Sequence, residues 1–309
     1  MERLAPGSTD AGLSPTEYFT FGILWQNPQE PDRLGKICEY NYQEEARMIT
    51  MEHVCKSYKI AKRNAGFGEA VKALFHREYE IIHALNDVSF TIEDGEMVGY
   101  IGPNGAGKSS TIKILSGILT PDHGTVLVNG RIPYKNRTRH VSEIGVVFGQ
   151  RSQLWWDVPV IDSFELLKDI YSIPEPLYRQ SLEELTELLN LTELLRSPAR
   201  QLSLGQRMRC EIAASLLHRP RILFLDEPTI GLDAVSKLAV RDFILKENQS
   251  HGTTVILTTH DMQDIEALAS RIILIGKGKI LMDGTLDDIR RGGDNIDETV
   301  AELYRAYDI

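Results

Sequence analysis

Apolar residues recur along this chain with two periods, and the two alternate from one segment to the next. Met51 to Tyr58 reads as a first strand, with the ordered core starting near Ile49. Ala84 to Ile92 resumes the strand pattern after an intervening segment, Lys59 to Ile82, that is both basic and apolar. Within that insertion Ala70-Val-Lys-Ala-Leu-Phe75 predicts a short helix. Glu93-Asp-Gly95 is a turn before Glu96-Met-Val-Gly-Tyr-Ile101, a buried strand, and Ser110 to Leu115 predicts a helix. Thr125 to Val128 with Asn129-Gly130 forms a hairpin signal. Ser181 to Leu195 carries leucines at helical spacing with glutamates between them, an amphipathic helix, and Arg207 to Leu217 predicts another. Ile222-Leu-Phe-Leu225 and Thr254-Val-Ile-Leu-Thr258 suit buried parallel strands. Ile272 to Ile275 and Lys279 to Met282 pair around Gly276-Lys-Gly278, and Asp297 to Ala306 predicts a closing helix. Strands that alternate with helices predict an α/β fold with a largely parallel sheet.

Composition narrows this picture. At 309 residues and 42% hydrophobic, the chain can bury one large core or two moderate ones. A formal charge of −10 argues against a nucleic-acid-binding surface. Cys38, Cys55 and Cys210 are scattered, with neither a disulfide framework nor a metal spacing, which fits a reducing cytosol. No apolar run approaches the roughly 20 residues needed to span a bilayer, and no signal peptide is visible. Residues 1–47 are rich in Pro, Gly and polar residues without periodicity and are expected to be disordered. Gln43-Glu44-Glu45 can be encoded by a purine-rich stretch like a bacterial ribosome-binding site. The natural start is therefore expected at Met48 or Met51, which would make residues 1–47 a non-native extension.

The strongest chemical signal is Gly102-Pro-Asn-Gly-Ala-Gly-Lys-Ser109, set between a strand and a helix. Glycines in this pattern let the backbone curl round phosphates, and the freed N–H groups and helix N-terminus aim positive charge at an anion. Lys108 would reach the outer phosphates, and the Ser109 hydroxyl would bind Mg²⁺. Ile222-Leu-Phe-Leu-Asp226-Glu227 is a second phosphate-site signature. A strand delivers Asp226 at its C-terminal end, where ligands of α/β sheets bind. Asp226 would hold Mg²⁺ opposite Ser109 and Glu227 would polarise the attacking water. Ser203, at the start of a helix, reads both as an N-cap and as part of an anion site.

Leu202-Ser-Leu-Gly-Gln206 resembles the signature of ABC transporter ATP-binding subunits, Leu-Ser-Gly-Gly-Gln, with Leu204 in the third position. The resemblance covers roughly Ile49 to Arg291. It implies a P-loop NTPase of ABC ATPase type: a RecA-like mixed-sheet core with an antiparallel β-subdomain and a helical subdomain. The ATPase domain would span 48–291, with the helical subdomain about 151–219, the insertion 59–82 and a C-terminal helix in 292–309. Residue by residue, it implies ATP contacts from Gly102, Pro103, Asn104, Gly105, Ala106, Gly107, Lys108, Ser109 and Ser110. Gln150 matches the glutamine that senses Mg²⁺ and the membrane partner. Asp233, in Gly231-Leu-Asp233, matches the loop that crosses the dimer interface. His260 matches the switch histidine near the γ-phosphate. Ser203, Gly205 and Gln206 would meet ATP held by the opposite subunit. Tyr58 matches the aromatic that stacks on adenine, although Phe75 or Tyr79 could take that place and any of the three could be core.

Phe148 to Trp156 and Leu204 to Arg209 look like a bacterial export-type branch serving drug, antibiotic or ion exporters. There Trp155 and Trp156 are candidates for a docking groove, or else pack the helical subdomain. The basic residues Lys59, Lys62, Arg63, Lys72, His76 and Arg77 either meet anionic lipid or form a solvated excursion. The implied protein binds ATP and Mg²⁺, pairs with a second ATPase subunit as a homodimer, and lies peripherally at the cytoplasmic membrane face through separate permease subunits. The alternative is a soluble ABC ATPase acting on the ribosome or DNA.

Overall fold

The computed structural model describes residues 47–61, 79–149, 151–290 and 296–307. Two long strands come first, β1 (Arg47–Ala61) and β2 (Tyr79–Glu93), followed by β3 (Met97–Ile101), α1 (Lys108–Leu115) and β4 (His123–Val128). Next are α2 (Arg137–Val141), β5 (Ile144–Phe148), α3 (Val160–Ile170), α4 (Glu175–Leu188), α5 (Leu204–Leu216) and β6 (Ile222–Asp226). The remainder is α6 (Ala234–His251), β7 (Thr254–Thr259), α7 (Met262–Leu268), β8 (Arg271–Gly276), β9 (Lys279–Thr285), α8 (Leu286–Arg290) and α9 (Ile296–Ala306). A six-stranded sheet runs β5-β6-β7-β3-β8-β9, parallel except for β9, and a three-stranded antiparallel sheet runs β2-β1-β4.

Strand periodicity sorts the core into two layers. In β3, Val98 and Tyr100 face the antiparallel sheet with α1, whereas Met97 and Ile101 face the helices. The same split separates Phe224 from Leu223 and Leu225 in β6, and Ile273 and Ile275 from Ile272 and Leu274 in β8. A strand whose side chains alternate between two covered faces must be apolar throughout. The continuous apolar runs in the sequence have this origin. Ile289 of α8 and Ile296 and Val300 of α9 join the helix-side layer.

Three boundaries differ from the sequence expectation. The segment 59–82 is not wholly an insertion: Lys59 pairs with Ile81, Ile60 with Glu80 and Ala61 with Tyr79, so the β1–β2 ladder runs on past the core. Its inner part, including the helix expected at Ala70–Phe75, and residues 1–46 lie outside the described residues. The leucine-rich helix begins at Glu175, six residues before Ser181, and ends at Leu188 rather than Leu195. Proline is tolerated in a first turn, which lets Pro176 sit there after Pro174. At the other end Asn190 takes a positive φ of 52°. Leu191 N–H bonds back to Thr186 O (2.9 Å) and Asn190 N–H to Glu187 O (3.3 Å). This Schellman closure stops the helix although the apolar period continues. Finally, α5 starts at Leu204, not Arg207, because Ser203 and Gln206 form a capping box ahead of it.

Candidate functional site

The ends of the parallel strands stand in register: Phe148 opposite Asp226, Asp226 opposite Thr258, and Ile101 opposite Thr259. The loops that follow them therefore converge at one edge of the sheet. They line an open cavity of about 660 Å³. Its wall joins Pro103, Asn104, Gly105, Gly107, Lys108, Ser109 and Ser110 to Asp226, Glu227 and His260.

The loop 102–107 is clamped from outside. Gly278, in the β8–β9 turn, donates its N–H to Ala106 O (3.0 Å). Gly107 has φ 116°, and a Cβ there would stand 2.5 Å from Ala84 O, so only glycine fits. No side chain caps α1 at Gly107, which leaves the first-turn N–H groups for an anion. Lys108 is buried, and its ammonium donates to Gly102 O (2.6 Å) and Pro103 O (3.2 Å). Burial holds this amine below the usual lysine range, an effect opposed by the Glu227 and Asp226 carboxylates.

Asp226 and Glu227 are oriented by one residue that the sequence reading passed over. Thr258 Oγ1 donates to Asp226 Oδ1 (2.6 Å), while Glu227 N–H donates to Thr258 O (2.9 Å) and Oγ1 (3.2 Å). The threonines that follow the apolar run Val255-Ile-Leu257 at the end of β7 were the available signal. Glu227 has a positive φ of 57°, a strained state for a non-glycine residue that turns the chain sharply after β6. His260 Nδ1 lies 3.5 Å from Glu227 Oε1.

Other expected residues are placed differently. Gly102 and Ala106 support the loop without lining the cavity. Gln150 lies outside the described residues, although its neighbours Gly149 and Arg151 line the wall. Tyr58 is half-buried, with its hydroxyl 3.4 Å from Ser110 Oγ. Its cross-strand partner Ile82 is the ribbon residue that reaches the wall. Tyr79 is exposed further out on the ribbon, and Phe75 lies outside the described residues.

Ser203, Gly205, Gln206 and Asp233 are not brought to this cavity. Ser203 Oγ accepts from Gln206 N–H (3.2 Å), and Gln206 Oε1 accepts from Ser203 N–H (2.9 Å). Asp233 caps α6, accepting from Ser236 N–H (2.9 Å) and Oγ (2.7 Å). A Cβ on Gly205 would lie 2.5 Å from Ser236 Oγ, so these two helix starts touch. Trp155 and Trp156 are 59% and 50% exposed, so each leaves about half of its surface open while the remainder rests on the helical subdomain. The Arg207 guanidinium sits 5.5 Å from the Trp156 ring centre.

The donor set suits a hard cation bound with phosphates. Ser109 offers a hydroxyl and Asp226 a carboxylate in one wall, and such ions need only one or two protein oxygens plus substrate phosphates. Among the described residues no larger group of metal-ligating side chains occurs.

The sequence profile described as ABC transporter matches residues 85–230. The linearmycin resistance ATP-binding protein LnrL of Bacillus subtilis is 33% identical over 71% of this chain and 71% of its own. The methionine import ATP-binding protein MetN 2 of Enterococcus faecalis is 34% identical over 71% of this chain and 64% of its own. Among solved structures, an ATP-binding subunit of an ABC transporter superposes with a TM-score of 0.68 at 25% identity, covering 83% of this chain and 99% of that one. A dimeric ATP-binding cassette in a post-hydrolysis state with ADP and Pi superposes with a TM-score of 0.65 at 27% identity, covering 77% and 99%.

Proposed function

We propose that this chain, which belongs to the ABC transporter family of ATP-binding proteins, contributes half of each of two ATP sites in a head-to-tail pair of copies. As a family member it binds and hydrolyses ATP in an α/β fold of the P-loop ABC type. The observation that supports the shared site is a separation. The phosphate loop and the Ser203 helix end occur in one chain, yet Ser203, Gly205 and Gln206 are absent from the phosphate-loop cavity. Two copies related by a two-fold axis bring one chain's loop against the other's signature.

Within each half-site the residues divide the work. The loop N–H groups and Lys108 hold the phosphates, and Tyr58 with Ile82 flanks the base. Ser109, Asp226 and Gln150 would hold Mg²⁺, which when bound supplies positive charge across the phosphate oxygens. Glu227 takes the proton of the water whose oxygen bonds to the γ-phosphorus as the bond to the ADP oxygen breaks. His260, beside Glu227, contacts the γ-phosphate. ATP does work because it binds the closed pair better than the open one.

The pair acts on separate permease subunits at the cytoplasmic membrane face, a reading that membership of the ABC transporter family supports; no helix among the described residues is long and apolar enough to cross a membrane. The likeness of Phe148–Trp156 and Leu204–Arg209 to the export-type branch favours export, although relatives named for linearmycin resistance and for methionine import match the chain equally well, at 33% and 34% identity. Light scattering tests the shared site. Glu227→Gln is expected to be a dimer with ATP and a monomer without it, and adding Ser203→Arg should return the monomer while ATP still binds. Dimerisation that survives Ser203→Arg would sink the arrangement. Co-purification with a hydrophobic permease supports transport; ribosomal RNA instead would support the ribosomal alternative.

A further inference from the structure

We propose that Glu211 is a positioning residue that ties the helix carrying Ser203 to the segment 151–156, and so couples the two ATP sites of the pair. The proposal rests on the shared-site reading above.

Ser203, Arg207 and Glu211 are four residues apart, and that spacing places them along one side of α5. Ser203 sits at the helix start, where the partner's nucleotide would be read. Arg207, one turn on, lies over the Trp156 ring. Glu211, a further turn on, grips the segment beneath it. Its carboxylate accepts from Ser152 Oγ and from Gln153 N–H (3.1 Å), and its main-chain carbonyl accepts from Gln153 Nε2 (2.9 Å). The held segment begins at Arg151 in the wall of the chain's own phosphate cavity and ends at the two exposed tryptophans.

The segment is stiff enough to transmit a displacement. Leu154 N–H bonds to Ser152 Oγ (3.2 Å), Trp155 N–H to Ser163 Oγ (3.1 Å), and Arg200 N–H to Trp156 O (3.1 Å). A carboxylate is also an expensive choice for this place. Glu211 is only 4% exposed and is followed by buried Ile212, Ala213 and Ala214. Burial pushes its carboxyl up from the usual range, opposed by the Ser152 and main-chain hydrogen bonds. A buried carboxylate costs stability unless its hydrogen bonds are kept. Moving α5 without the segment would break them. The cheaper motion carries both together, so closure on the partner's ATP shifts Arg151 and the tryptophans of the same chain.

The test uses the full chain carrying Trp25→Phe and Glu227→Gln, so that Trp155 and Trp156 report alone. ATP is expected to change their emission as the dimer closes, and Glu211→Ala should abolish that change while dimerisation persists. Glu211→Gln, which keeps one acceptor oxygen, should restore part of it. With Glu227 intact, ATP hydrolysis should show a Hill coefficient above 1 that falls to about 1 in Glu211→Ala. If Glu211→Ala does not fold, Ser152→Ala removes one of the same bonds and should weaken both signals. A monomer that persists with ATP overturns the shared site itself. A dimer whose emission change and Hill coefficient are untouched by both substitutions overturns the tether alone.

Discussion

His260 Nδ1 stands 3.5 Å from Glu227 Oε1, although one follows β7 and the other β6. Adjacent parallel strands deliver them to one point, with Glu227 mostly buried and His260 mostly exposed. Glu227→Gln keeps the shape and removes the proposed base. Turnover should fall by about 10²-fold or more with ATP binding retained. His260→Ala should lower turnover as well, by loss of the γ-phosphate contact proposed for it. Steady-state phosphate release with a separate binding measurement checks both; normal hydrolysis by the Gln variant would remove Glu227 from the base role.

Lys108 is held in place by carbonyls of the loop it serves. Its truncation would remove the charge-assisted hydrogen bonds to phosphate proposed for it, worth about 1.5–3 kcal/mol each. Lys108→Ala should therefore weaken binding of a fluorescent ATP analogue by roughly 10- to 100-fold. An unchanged dissociation constant would contradict the assignment.

Asp264 joins four segments behind the site. It is fully buried and accepts from Thr229 Oγ1, Thr259 Oγ1 (3.2 Å) and Arg241 Nε (2.6 Å). Removing one partner of a buried pair leaves an uncompensated charge. Asp264→Ala should cost about 3–5 kcal/mol in urea unfolding. A loss below about 1 kcal/mol would show that Arg241 finds another partner.

Two histidines, His140 buried and His218 half-buried, set an acid limit. Burial lowers the pKa of His140, whose Nε2 is 2.8 Å from Leu115 O, and of His218, whose Nε2 is 2.9 Å from Ile144 O. The unfolded chain then binds protons first, so this contribution is fully present above about pH 6.5 and is lost as pH falls through the folded values. Urea unfolding at pH 7.5 and 5 should give a flatter dependence for a His140→Gln, His218→Gln double variant. An equal slope would contradict the assignment.

Some of this was legible locally. A lysine and serine after a glycine-rich turn, or an Asp-Glu pair ending an apolar strand, declare their chemistry within a few residues. The helix boundaries were less legible, because a capping box at Ser203 and a Schellman closure at Asn190 override the apolar period. Thr258 and Glu211 escaped notice for a different reason. Each acts on residues more than thirty positions away, Asp226 for one and Ser152 for the other.

The sequence by itself determined the pieces: the phosphate loop between its strand and helix, the acidic strand end, the signature cap and the alternation of strands and helices. Backbone conformation and capping act over a few residues, so local spelling is enough for them. Only the tertiary structure decided the strand order β5-β6-β7-β3-β8-β9, which sets Asp226 beside Thr258 and Ile101 beside Thr259. It also placed Ile82 in the cavity wall and left both tryptophans exposed. These outcomes depend on burying both faces of one sheet and pairing strands remote in sequence, and no local pattern encodes that pairing.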